Sequence, residues 1–598
     1  MIEGNRTLGR HRLRRAADKP MAFWLLIVTF ITVLALGLRL WGSGFGLPNI
    51  FARPDESFIV PKALAFGAGD LNPHFFHYPT FYMYLLFGVY VGYAAFGLLT
   101  GRFTSVTDIQ HVFLLQPESF YLLGRWLTIG MGTATVIVLY LGSQQHYGWQ
   151  VAALASFFLA LAPLHVRDSH FITTDVPATI WIILAFVFSM RYVQKGGIRD
   201  GFVAGLAAGL ATSTKYNAAM IGLPLLLACV YRARAVRHGK WQLEKLWHTG
   251  WPLAVMVVAF FLGSPFILLD PGTFWRDLTY EWRHLGQGHG LVLSIGFVHH
   301  LRFSLRYGLG LPLLLMAVGG LLLALCRRRP ADVLLVSFVL GYYLLIGSGR
   351  TVFVRYVIPL VPFLCLAAAD ALNWGTAWLV RRGWLPGRWS GIVLALAGLL
   401  IVAPGGYNTV QQDRLLSRTD TRVMATDWIE AHVPDNSVIA MQGGDYGEPQ
   451  VWESRSLLEE KVAYPGSEIP GHGSRRRLQA LLALPDYPPG PAYYVLRLRD
   501  YGNEGASWIL TEYDVDRLHA RGVSYVVITD HFLPYSRADQ TLEAALQQQA
   551  RLVAEFSPTR PGAVPQPVFD PIDAFYVPLA DFTGIERPGP FIRIYTLR

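Results

Sequence analysis

The chain has 598 residues, of which 53% are apolar and only 15% charged, with a formal net charge of +10. A soluble domain carries about 25% charged residues, so this composition excludes a wholly water-facing surface and calls for a membrane part joined to at least one soluble part. Cys229, Cys326 and Cys365 lie in or beside apolar runs, which excludes a disulfide framework or a CxxC metal pattern. In a membrane chain the basic excess speaks for cytoplasmic loops and lipid headgroups rather than nucleic acid.

Residues 1–20 are basic, with Arg6, Arg10, Arg12, Arg14, Arg15 and Lys19, and read as a cytoplasmic terminus. The run Met21 to Trp41 is too long for a signal-peptide core and reads as a retained first span. A span needs roughly 20 apolar residues. Eleven candidates follow, at 21–41, 120–142, 151–165, 176–191, 201–214, 216–231, 251–269, 308–326, 331–348, 356–379 and 389–404. The Tyr- and Phe-rich stretch Thr80 to Leu99 reads as an interfacial helix on the outer surface, at the level of the aromatic belt.

Charge bias supports that layout. With the amino terminus inside, the inner loops hold Arg191, Lys195 and Arg199, then Arg232, Arg234, Arg237, Lys240 and Lys245. Arg327, Arg328 and Arg329 follow, then Arg381, Arg382 and Arg388. Counting 80–99 as a span would put these clusters outside, against the positive-inside rule.

From Gly405 onward the long apolar runs stop. Thr421 to His432 has helical apolar spacing. Ser437 to Met441, Ala492 to Leu498, Val523 to Thr529 and Phe591 to Leu597 read as strands. The expected architecture is an α-helical polytopic membrane domain, 21–404, followed by a soluble α/β domain, 405–598, on the extracytoplasmic side.

Ionisable residues beside spans are costly and are functional candidates. They collect on the outer face of this topology. The first outer loop holds Arg53-Pro54-Asp55-Glu56, His74, His77 and Tyr78. Arg125 opens the second span, Arg167, Asp168, His170 and Asp175 lie between spans three and four, and Lys215 occupies the next outer turn. The outer loop Asp270 to Arg306 carries Glu281, His284 and His289, and Arg355 lies at the following outer boundary. Sugar transfer to a hydroxyl needs a carboxylate to take the acceptor proton and cations to hold a departing phosphate. A lipid-phosphate donor has no diphosphate–metal clamp, so Arg and Lys fit that task. Asp55 and Glu56 with Arg125, Lys215 and Arg355 supply both parts.

At these residues the sequence resembles the GT-C integral-membrane glycosyltransferases, in the branch of protein O-mannosyltransferases and lipid A aminoarabinose transferases (glycosyltransferase family 39-like). Asp55-Glu56 matches that branch's first-loop acidic motif, and Phe76-His77-Tyr78-Pro79-Thr80-Phe81-Tyr82 is similar to its juxtamembrane helix. Gly124-Arg125-Trp126 resembles its Arg entry, Asp168 to Pro177 its second acidic loop, and Thr214-Lys215-Tyr216 its Thr-Lys turn. Arg355-Tyr356 to Pro359, with Pro362, resembles its Arg-Tyr span. Asp420-Thr421-Arg422 to Pro434 resembles the opening of the outer domain. One departure is Tyr78, where many members carry Lys or Arg.

The resemblance implies an inverting glycosyltransferase of a bacterial-type inner (plasma) membrane. Asp55 is its general base, with Glu56 and Asp168 as further catalytic acids. Arg125, Lys215 and Arg355 bind the donor phosphate. His77, Tyr78, Arg167, His170 and Asp175 contact acceptor or donor. The implied partners are a polyprenyl-phosphate sugar, an acceptor protein, lipid or glycan, and membrane lipids, with no nucleic acid and no cofactor.

Blander readings stand beside these. Asp175 precedes Val-Pro at a helix start, where a carboxylate also caps. Arg355 at a boundary also suits a snorkelling anchor. His74, His77, His165, His170, His284 and His289 lack HExxH spacing, so no metal is expected. A transporter or flippase of lipid-linked sugars is the alternative function. That class places charges near the midplane and often carries internal repeats, whereas here the charges gather at one face and no repeat is visible.

Overall fold

A computed structural model describes residues 21–235, 243–291, 293–465, 474–499, 506–573 and 575–597. The expected basic terminus 1–20, and Arg237 and Lys240 of the inner loops, lie outside the described residues. The described chain forms two compact units. The first comprises residues up to Trp41 together with 61–88 and 124–413, and the second comprises 42–60, 89–123 and 414–598. The division at 413/414 falls inside the helix Ser390–Leu416, later than the expected boundary at 404/405. The second unit also takes in two pieces of the first outer loop.

The first unit is helical. Across the described chain, seven helices are long and apolar enough to cross a membrane, or nine when two bent pairs each count as one span. The expectation of eleven is higher because several runs make shorter helices. Ile198–Thr212 has 15 residues, and the apolar parts of the first and seventh expected spans are Leu25–Leu40 and His248–Gly263. Phe81–Leu99, expected to lie at the interface, is a 19-residue helix that also meets the length and hydropathy of a span. The expected outer loop after Asp270 is largely the helix Pro271–Gln287. Asp270 accepts from the Thr273 amide at 3.2 Å and Pro271 opens the first turn, a strong start signal.

Two local rules shape this bundle. Helix Trp149–Leu161 meets Pro163–Ser169 at a 59° bend. Pro163 has no N–H to continue the hydrogen-bond ladder, which strands the preceding carbonyls. Arg39 donates to the carbonyls of Leu159 and Ala160 at 3.4 and 3.5 Å, and the Thr409 hydroxyl donates to that of Leu161 at 2.9 Å. Secondly, Gly201, Gly205 and Gly209 recur every fourth residue on Ile198–Thr212 against helix Leu243–Gly263. A Cβ on Gly205 would lie 2.2 Å from the Pro252 carbonyl oxygen, and one on Gly209 2.4 Å from that of Met256. Small residues at this spacing let two backbones touch, so this short run packs tightly rather than facing lipid all round.

The second unit contains a seven-stranded mixed sheet. Its strands are β1 (Val438–Gln442), β2 (Trp452–Glu453), β3 (Ala492–Leu498), β4 (Ile509–Leu510), β5 (Tyr525–Asp530), β6 (Ala550–Phe556) and β7 (Phe591–Leu597). The order is β2-β3-β1-β5-β7-β6, with β4 also pairing β3. β1 runs parallel to β3 and β5, while β7 is antiparallel to β5 and β6. Central strands are buried on both faces, as parallel sheets require. Ile439, Met441, Val495, Val527 and Ile592 enter one core, and Ala440, Leu496, Val526, Ile528 and Tyr595 the other. The four expected strands and the helix Thr421–His432 are all present. Helix Val106–Leu115 joins this unit through Leu114 and Leu115, which pack with Leu458, Leu478 and Leu481.

Candidate functional site

Asp55 and Glu56 fall in the second unit, and the other nine expected site residues in the first.

In the second unit, Pro54 opens the helix Pro54–Ala65, placing Asp55 and Glu56 in its first turn. That end of a helix favours negative charge, and Pro at the first position loses no hydrogen bond. The two acids differ in access. Glu56 is fully buried, whereas the Asp55 side chain keeps 12% exposure. Arg53 is fully buried beside them, with Nη2 3.5 Å from Asp55 Oδ2. Its Nη1 donates to both oxygens of Asp573 at 2.6 and 2.7 Å. Phe575 lies under the guanidinium at 5.2 Å.

In the first unit, the structure joins three of the expected residues. Asp175 begins the helix Asp175–Lys195, but its side chain makes no cap; Thr174 holds the cap position. The carboxylate instead accepts from Lys215 Nζ through Oδ1, and its Oδ2 lies 3.9 Å from Arg355 Nε. Arg355 is buried with its guanidinium 4.2 Å from the Phe353 ring, and Lys215 Nζ lies 5.0 Å from the ring of Tyr356. Arg355 is therefore no snorkelling anchor. Two cations share one carboxylate in an apolar bundle, where charge–charge interactions are weakly screened. Such a cluster suits an anionic ligand.

The remaining expected residues lie around other partners. Arg125 is fully buried in the helix Glu118–Tyr147. Arg167 and Asp168 are buried neighbours on Pro163–Ser169, 3.7 Å apart. His170 is fully buried, and its two ring nitrogens lie 2.9 Å from the carbonyl oxygens of Val166 and Trp41. It thereby ties the helix break to the end of the first helix. His77 Nδ1 lies 2.7 Å from Glu281 Oε1, and the Phe76 amide donates to Asp277 at 2.7 Å. The segment before Tyr78 is thus held by the helix Pro271–Gln287, and Tyr78 packs 6.0 Å from the Phe75 ring. Among the described residues no three His, Cys, Asp or Glu side chains form a metal-holding group.

Sequence reasoning passed over three residues. Arg39, a lone cation in an apolar run, makes five buried contacts, among them His165 Nδ1 at 2.9 Å and Ser169 Oγ at 3.2 Å. A charge inside a span is itself a signal. Asp277 and Asp573 carry none, since their partners lie far away in the chain.

A sequence profile of the dolichyl-phosphate-mannose-protein mannosyltransferase family matches residues 121–268. No curated protein sequence matches the chain. Among solved structures, ArnT from Cupriavidus metallidurans bound to undecaprenyl phosphate is similar at a TM-score of 0.50 and 16% identity, over 90% of this chain and 97% of that one. The oligosaccharyltransferase AglB from Archaeoglobus fulgidus gives 0.47 and 13%, over 85% and 69%. The Pmt1-Pmt2 protein O-mannosyltransferase complex of S. cerevisiae gives 0.28 and 20%, over 44% and 34%. The chain shares the GT-C fold of that ArnT structure, with a sheet-containing carboxy-terminal part.

Proposed function

We propose that this protein is an inverting glycosyltransferase that moves a sugar from a polyprenyl-phosphate carrier to a hydroxyl of a protein, lipid or glycan at the extracytoplasmic face of the membrane. The observation that carries this reading is the pairing of Lys215 and Arg355 on Asp175, two cations drawn from separate segments into an apolar setting. A lipid-linked phosphate asks for that arrangement, because its negative charge grows as the sugar departs. The similar ArnT structure binds undecaprenyl phosphate, which supports a polyprenyl carrier here. Arg125, buried in the same unit, is the third cation assigned to the phosphate.

Asp55 is the general base. It takes the acceptor proton while the hydroxyl oxygen bonds to the anomeric carbon and the bond to the phosphate oxygen breaks. Its partial exposure beside fully buried Glu56 supports that choice. Glu56 and Asp168 are the further catalytic acids. His77, Tyr78, Arg167, His170 and Asp175 orient donor or acceptor, with Asp175 acting through Lys215 and Arg355. The basic inner loops support an amino terminus in the cytoplasm and a carboxy-terminal unit outside.

Purified protein given a set of polyprenyl-phosphate sugars, with products identified by mass spectrometry, tests the reading. The expected result is one accepted sugar and release of polyprenyl phosphate. Absence of turnover with every such donor, from folded protein, rejects it. Labelling of single cysteines placed near Pro54 and in the carboxy-terminal unit checks the orientation; a cytosolic location for Pro54 rejects the extracytoplasmic assignment.

A further inference from the structure

We propose that Asp573, near the far end of the chain, is a positioning residue for the acid at Asp55, acting through Arg53; the inference rests on the glycosyl-transfer reading. Asp573 and Arg53 are buried, with 4% and 0% side-chain exposure, and Arg53 Nη1 donates to both Asp573 oxygens. A guanidinium is planar and rigid. Fixing Nη1 on Asp573 therefore fixes Nη2, which lies 3.5 Å from Asp55 Oδ2.

The loop that carries Asp573 is itself held. The Tyr535 hydroxyl donates to the Asp573 carbonyl oxygen at 2.6 Å. Phe575 lies under the Arg53 guanidinium and packs edge-on against Phe45 at 5.3 Å. Tyr446 reaches the same turn from another side. It bonds the Ser57 side chain, and the charges of Asp55 and Asp573 both act on its hydroxyl. Arg422 donates to the Tyr446 carbonyl oxygen at 2.6 Å. Two stretches of the sheet-containing part, one with Tyr446 and one with Asp573 and Phe575, thus reach residues 45–57, and Arg422 and Tyr535 hold those two stretches.

A buried ion pair is a poor device for stability, since desolvation offsets much of the attraction. It is a good device for geometry. Arg53 stands between two carboxylates, and Asp573 draws it by a two-point contact. With Asp573 neutral, Arg53 is released to close on Asp55, which makes that carboxylate a weaker base. The carboxy-terminal part of the chain then completes the catalytic turn.

The test uses full-length enzyme with its polyprenyl-phosphate sugar. Asp573→Asn is expected to lower kcat at least tenfold with donor KM within about twofold, and Asp573→Glu to recover part of the loss. Arg53→Lys keeps the charge but loses the planar two-sided contact, and it is expected to show the same kcat loss. That variant decides the matter if Asp573→Asn does not fold. Wild-type kcat in folded Asp573→Asn or in Arg53→Lys, alongside inactive Asp55→Asn, overturns the proposal and leaves the glycosyl-transfer reading intact. Wild-type activity in Asp55→Asn overturns that reading itself.

Discussion

Lys215 Nζ donates to Asp175 Oδ1 across 40 residues of sequence, while Arg355 Nε stands 3.9 Å from the other oxygen. A helix-start carboxylate that makes no cap, and instead gathers two cations from later turns, holds those cations where an anion can meet them. Lys215→Met removes one charge-assisted contact, worth about 1.5–3 kcal/mol. The expected outcome is a rise of roughly tenfold or more in donor KM, read by steady-state kinetics across donor concentrations. An unchanged KM removes Lys215 from the phosphate site.

The glycine stripe predicts a packing failure. Gly205→Leu must displace the Pro252 carbonyl, which a Cβ alone would approach to 2.2 Å. The overpacking is expected to cost about 1–3 kcal/mol or more and to lower both the thermal midpoint in detergent and the yield of monodisperse protein. Gly250→Ala on the facing helix meets nothing within 4 Å and is expected to leave the midpoint unchanged or slightly raised.

Arg39 is expected to be structural. Arg39→Met removes the side-chain donor to the Ala160 carbonyl and to His165 Nδ1, in a place where buried polar groups need partners. Leaving a buried acceptor unpaired costs about 1–3 kcal/mol, and two are affected here. Thermal unfolding of the variant in detergent checks it, with loss of the folded fraction at ambient temperature the expected extreme.

How much of this was legible beforehand depended on the range of each signal. Helix Thr421–His432 could be read because its apolar spacing is local and Val433-Pro434 ends it. β2 and β4 have two residues each, too few for any alternation. β6 was missed because Arg551 and Glu555 break its pattern; as an edge strand it leaves them in solvent. Helix Pro271–Gln287 reads as a loop through its many polar residues, yet its amphipathic face holds the segment before Tyr78. The site residues carried chemical signals, but their partners did not. Nothing near Asp175 names Lys215, and nothing near Arg53 names Asp573, because those pairings are made by the fold. Asp55 in the same unit as the distant sheet was equally invisible to a reading in chain order.

The sheet-containing part should be sensitive to acid through His531. Burial, with Arg422 adding to it, lowers this imidazole from 6.5 to about 3, and its Nδ1 accepts from the Leu533 amide at 3.2 Å. The fold favours the neutral ring, while the unfolded chain takes up a proton near pH 6.5. The stabilisation is therefore complete above pH 6.5 and is lost as pH falls from there toward 3, on the order of a few kcal/mol in total. His531→Asn keeps an acceptor but cannot titrate. Its thermal midpoint is expected to change less steeply than wild type between pH 6.5 and 4. Parallel curves for the two proteins assign the acid sensitivity elsewhere.

Wild-type and Asp55→Asn proteins, both folded and matched in thermal midpoint, should be compared for release of polyprenyl phosphate from a sugar-charged carrier in the presence of acceptor. Steady release by the wild type, with a loss of at least a hundredfold in Asp55→Asn, is the predicted result. Equal rates for the two proteins would mean that the carboxylate at the start of Pro54–Ala65 takes no proton in the reaction, and the assignment of the catalytic base would be wrong.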